Sequence, residues 1–145
     1  MKRIVAVLLF LCMVPLCASA SGYLEDLDIY AELFGAPEIS SAPKETVHGK
    51  TIYTVGGGFV GLEESSGELE SVSVFGTGDN LLIYAVSAIC VMEGTNDNFT
   101  QNCGILLSSY LICRMNGEEQ FVSTKGGLFY LIKPYNDGYM VIIQR

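Results

Sequence analysis

With 145 residues and half of them apolar, the chain has enough material for one domain with a substantial core, and its formal charge is −8. An acidic surface repels phosphate backbones and anionic lipid, and no basic cluster offsets it, so nucleic-acid and membrane-surface binding are excluded as expectations.

Met1–Ala20 reads as a secretory signal peptide. Lys2 and Arg3 form the basic start, Ile4 to Leu16 the apolar stretch, and Ala18-Ser19-Ala20 an A-x-A cleavage site. The apolar stretch is short for a membrane span, which needs ~20 residues. Pro15 and Leu16 stand before Cys17 where a lipoprotein has small residues. The expectation is an exported chain beginning at Ser21, in the periplasm, at the cell surface or outside, with no membrane span after cleavage. Losing Lys2 and Arg3 makes the remainder more acidic still.

In the mature chain, Tyr23–Phe34 carries apolar residues at helical spacing, with acids on the other face and a stop at Gly35. The segment APEISSAPKE, with Pro37 and Pro43, then reads as an extended connector. Residues 21–46 thus form a helix and a linker, and 47–145 a single α+β domain. Lys50–Val55 is β-branched and aromatic, Phe59–Glu64 resumes it, and Glu68–Phe75 alternates as a hairpin partner across Ser65-Ser66-Gly67.

Asp79–Glu93 is the centre of the chain: every residue from Leu81 to Met92 except Ser87 is apolar, Thr77 or Asp79 offers a cap, and Gly94 follows. This predicts a helix covered on most sides. Thr95–Gly104 reads as a polar loop, within which Asn98-Phe99-Thr100 fits the glycosylation sequon. Four strands in meander order complete the expectation: Ile105–Met115, Glu118–Thr124, Leu128–Lys133 and Tyr139–Gln144. Asn116-Gly117 is read as the first hairpin turn. The alternative for Ile105–Met115 is a second helix. The predicted fold is therefore α+β, an antiparallel sheet (an N-terminal hairpin plus about four C-terminal strands) curled around one buried helix and preceded by an amphipathic one. In element order the last part resembles cystatin-like and helix-grip domains, although the cystatin Q-x-V-x-G motif is missing.

Among chemical motifs, Gly56-Gly57-Gly58-Phe59-Val60-Gly61 satisfies G-x-G-x-x-G directly after a strand. It resembles the first turn of the dinucleotide-binding Rossmann unit of flavin-dependent pyridine nucleotide oxidoreductases. The resemblance implies that Gly56, Gly58 and Gly61 let backbone approach a pyrophosphate at a helix N-terminus. The bottom-up reading of the same residues is a glycine-rich bend or bulge in a curled strand. Gly76-Thr77-Gly78-Asp79 opens the central helix, where free N–H groups attract an anion unless Asp79 caps them.

After signal cleavage the cysteines are Cys90, Cys103 and Cys113. They allow one disulfide with a leftover thiol, or three buried thiols. Cys103 in its polar loop is the best candidate for a crosslink, and Cys90–Cys103 is the favoured pair because it ties that loop to the helix end. His48 beside Gly49 is read as surface decoration, with a Cys103/His48 nucleophile pair as its sharper alternative. The cysteines and His48 show no zinc spacing, and Asn96-Asp97-Asn98 lacks the glycine and distal Glu of a calcium loop. Glu63, Glu64, Glu68 and Glu70 flank one turn. Without a Trp to form a sugar platform they read as a solvated acidic hairpin rather than a glycosidase pair.

Tyr130 and Tyr135 are expected to face outward near a turn as an interaction surface. No catalytic residue, metal site or cofactor is predicted. The function expected is a small exported binding module for a protein, a peptide, a small ligand or a second copy of itself. The alternative is a small enzyme or nucleotide-cofactor binder using the Gly56–Gly61 loop.

Overall fold

The structure is a computed structural model that describes residues 22–94 and 98–145. The segment read as a signal peptide, with Cys12 and Cys17, as well as Ser21 and residues 95–97, lies outside the described residues. Three helices, α1 (Tyr23–Leu33), α2 (Asp79–Glu93) and α3 (Phe99–Asn116), accompany seven strands. The strands are β1 (Lys44–Val47), β2 (Lys50–Val55), β3 (Gly58–Ser65), β4 (Glu68–Gly76), β5 (Gln120–Ser123), β6 (Phe129–Tyr135) and β7 (Gly138–Gln144). All pair antiparallel in one open sheet of order β1-β2-β3-β4-β7-β6-β5. The expected α+β class holds.

α2 is the hub. It lies against β4 and β7 and is flanked by α1 and α3. Every residue from Leu81 to Met92 is buried except Ile83 and Val91, which pack partly buried against the core. The N-cap is Gly78, without a side-chain cap bond. The expected caps act otherwise: Asp79 is the first helical residue, where its carboxylate favours the positive end of the helix dipole. α1 ends where Gly35 turns with φ +77°, and its Leu27, Tyr30 and Ala31 join the same core. The first half of the connector is strapped down by two side chains. Asp28 Oδ1 accepts the Ile39 N–H at 2.5 Å and the Ser40 N–H at 3.2 Å, while the Tyr84 hydroxyl donates to Pro37 O at 2.8 Å. Its tail supplies β1, a strand the sequence reading missed.

Ile105–Met115 is helix, not strand. α3 runs from Phe99 to Asn116 and buries Phe99, Cys103, Leu106, Tyr110 and Cys113, alternate steps of four and three residues that put them on one face. Asn116-Gly117 is accordingly no hairpin turn. Gly117 ends α3 in the left-handed conformation, φ 74° and ψ 8°, with its N–H on Cys113 O at 2.8 Å. The C-terminal meander is thus three strands, and two consecutive helices precede it, so the likeness in element order to cystatin-like and helix-grip domains does not extend to this chain.

Side chains alternate across the sheet as its pleat requires. Val60, Val72, Val74, Tyr130, Ile132, Val141 and Ile143 point to the helices and are fully buried. Their sequence neighbours point the other way.

Candidate functional site

Among the described residues no element lies over the second face of the sheet. The register defines what it displays. One row runs Thr54–Phe59–Phe75–Met140–Lys133 across β2, β3, β4, β7 and β6. The next runs Glu45–Ile52–Gly61–Ser73–Ile142–Leu131–Phe121 across the full sheet. A third runs Val47–Lys50–Glu63–Ser71–Gln144–Phe129–Ser123.

The aromatic side chains on this face hold one another in place. Phe59 stacks on Phe75 (centroids 5.4 Å, planes at 29°), and Tyr135 meets Phe75 edge-on (5.4 Å, 75°). Phe121 stacks on Phe129 (5.8 Å, 19°) on the far side. Beside the Phe59–Phe75 pair on the same two strands, Gly61, Ser73 and Ser71 are small and shaded by their neighbours, Ser73 to 6% exposure. The face is therefore two aromatic ridges beside a shallow trough. Phe121 remains 66% exposed and Tyr135 40%. The Lys50 ammonium sits 3.3 Å from the Glu63 carboxylate, which leaves Lys133 and Glu45 as the other charges in the three rows. An exposed ion pair of this kind contributes ~0–1 kcal/mol, so apolar area dominates what the face can offer.

Of the two tyrosines expected at the surface, Tyr135 is there and Tyr130 is not. Tyr130 is the inward residue of its β6 pair with Val122 and Ile143, at 0% exposure. The two-residue period of the strand decides this: Phe129 and Leu131 take the outward positions. The Tyr130 hydroxyl has no hydrogen-bond partner among the described residues. Burial, with the nearby Glu93 and Cys103 charges, pushes its pKa well up. Phe59, Phe75, Phe121 and Phe129 are the residues that sequence reasoning missed. Their signal was strand alternation, which places each one residue away from a buried neighbour.

Gly56 and Gly57 form the β2–β3 turn with φ +54° and +81°, and the chain continues as strand, without the helix a Rossmann unit requires. The resemblance to dinucleotide-binding folds therefore stops at the six residues. Gly58 answers to close packing instead: a Cβ there would lie 2.0 Å from Phe75 O. Gly61 faces the Lys50 side chain on the open face. Gly56 and Gly58 meet Gly76–Asn80 around a cleft of about 190 Å³ at the start of α2, smaller than the ~300 Å³ at which small-molecule sites begin.

Cys90, Cys103 and Cys113 are buried and form no disulfide with one another in this structure. Burial pushes the Cys90 thiol well up, and a charge on neighbouring Cys103 pushes it further. His48 stands exposed in the β1–β2 turn, at the sheet edge opposite the β5–β6 edge on which α3 packs, so the structure does not bring it to Cys103. Glu63, Glu64, Glu68 and Glu70 flank the Ser66-Gly67 turn, none of them buried. Among the described residues no group of three or more His, Cys, Asp or Glu is placed to hold a metal ion, and no helix is long and apolar enough to cross a membrane.

Comparison with protein-family models, curated proteins and solved structures finds no match for this chain. The functional reading rests on the geometry.

Proposed function

We propose that this is an exported, non-enzymatic interaction module that works by laying the open face of its sheet against protein. The observation that supports the reading is the uncovered aromatic surface formed by Phe59, Phe75, Tyr135, Phe121 and Phe129. A folded chain that can bury a core this complete has no folding reason to keep Phe121 at 66% exposure. Contiguous apolar patches of this kind mark docking surfaces, and aromatic side chains dominate binding energy at them. The sheet positions them rigidly, so little side-chain freedom is lost on association. The signal sequence sets the compartment in which the partner is met.

The test is the double substitution Phe121→Asp with Phe129→Asp. Both side chains are exposed, so the far-UV spectrum and melting temperature should stay near wild type. In gentle extracts of the cells that make it, the wild-type protein should travel in a complex larger than one chain and the variant as a monomer. A wild-type protein that travels as a monomer, or a variant that keeps the complex, contradicts the reading.

A further inference from the structure

We propose that the partner on the open face is a second copy of this chain, related by a two-fold axis that runs along β4. This rests on the reading of that face as a docking surface. β4 is the middle strand of seven, so an axis along it lays β2 and β3 of one copy over β6 and β7 of the other and β4 over β4. Such an axis keeps position along the strands, so each row of the register meets the same row of the other copy, reversed. Ile52 then meets Leu131 of the other copy, Phe59 meets Met140, and Gly61 leaves a gap opposite Ile142. Ser73 meets Ser73, and their small size permits close approach at the axis.

Charge follows the same pattern. Along the rows no acid is set opposite an acid: Glu63 faces Gln144, Glu45 faces Phe121, Lys50 faces Phe129 and Lys133 faces Thr54. A chain of charge −8 repels its own copies as a whole, but the charges in the three rows, Lys50, Lys133, Glu45 and Glu63, balance one another. The area suffices. Seven strands at ~4.8 Å spacing span ~29 Å, and three rows span ~20 Å along the strands, giving ~600 Å² per copy. The total of ~1,200 Å² lies at the lower bound of specific interfaces. Two twisted sheets pack with strands within ~30° of one another, which keeps the rows matched about the axis.

The experiment combines mass and geometry on the protein as the cell delivers it. Sedimentation equilibrium should give twice the chain mass at concentrations of tens of micromolar, and the Phe121→Asp/Phe129→Asp variant the single mass. Ile52→Cys and Leu131→Cys are then made singly and mixed with a bis-maleimide that spans ~10 Å, the sheet-to-sheet distance. The native thiols are buried and wild type serves as the control. Within one chain the two positions lie ~19 Å apart, so a crosslinked dimer should form in the mixture and not from either variant alone. A dimer that crosslinks equally within each variant, or not in the mixture, overturns the two-fold along β4. A monomer at every concentration overturns the second copy altogether. If that monomer still travels in a larger complex in cell extracts, the docking face stands with a different protein on it; if it travels alone there too, the docking reading fails with it.

Discussion

Gly58 and Gly61 share a motif but answer to different forces, and their alanine variants separate them. At Gly58 the new Cβ would fall 2.0 Å from a backbone oxygen of β4, so the sheet must open locally. Gly58→Ala should cost about 2–3 kcal/mol in urea unfolding. At Gly61 it would meet the flexible Lys50 chain at 3.4 Å and the Ser73 Cβ at an ordinary 3.7 Å, and the change should stay within about 0.5 kcal/mol. Equal costs would refute a packing origin for the motif. Two of the buried tyrosines, Tyr84 and Tyr130, form a second contrast. Tyr84→Phe removes the bond to Pro37 O at 2.8 Å and should cost about 1 kcal/mol, whereas Tyr130→Phe removes an unpartnered hydroxyl and should be neutral or stabilising.

Titration at the same residues gives a pH prediction. Burial raises Cys90 and Tyr130 from ordinary values of 9.0 and 10.0, and pushes Tyr84 up to about 12 with help from Asp28. As pH rises, the unfolded chain therefore releases these protons first. The stability linked to them is complete below the unfolded values and is lost as pH climbs through the folded ones. Melting temperature should be level from pH 7 to 8.5 and fall progressively above pH 9. A level profile to pH 11 would contradict the burial of these groups. Intact mass with and without reductant addresses the expected Cys90–Cys103 crosslink, since alkylation of all three thiols without reductant rules it out.

At the scale of elements, the sequence was readable wherever one period dominated. Lys50–Val55 is a strand to the residue, and Asp79–Glu93 a helix whose uniform apolarity foretold burial on nearly every side. It was unreadable where two signals conflicted. Ile105–Met115 is apolar on every side but for Ser108, Ser109 and Arg114, which hid the four-and-three spacing of Phe99, Cys103, Leu106, Tyr110 and Cys113, and Asn-Gly suits a helix end as well as a hairpin. The open face was hidden for a related reason. Phe129 and Tyr130 are adjacent and chemically alike, and only the strand register says which is buried. If Gly117 ends α3 as a left-handed cap, Gly117→Ala should destabilise by about 1 kcal/mol without changing helix content, as read by circular dichroism and thermal melts. A tolerated substitution would contradict the left-handed conformation at Gly117.

For the whole molecule, the architecture is asymmetric. One face of the sheet carries all three helices and a core that reaches from Leu27 to Ile143, while the other carries ordered aromatic side chains with nothing described above them. The proposed export completes the account, and mass analysis of the protein from outside the cytoplasm should give a chain starting at Ser21. The central claim is that the uncovered face is where this protein meets protein, and site-specific photocrosslinking in the producing cells tests it most directly. A benzophenone amino acid is placed at Phe121 on the open face, and at Ile112 on α3, which is 47% exposed on the opposite side. The account predicts protein adducts from position 121 and few or none from 112, whereas adducts only from 112, or none from 121, would contradict it.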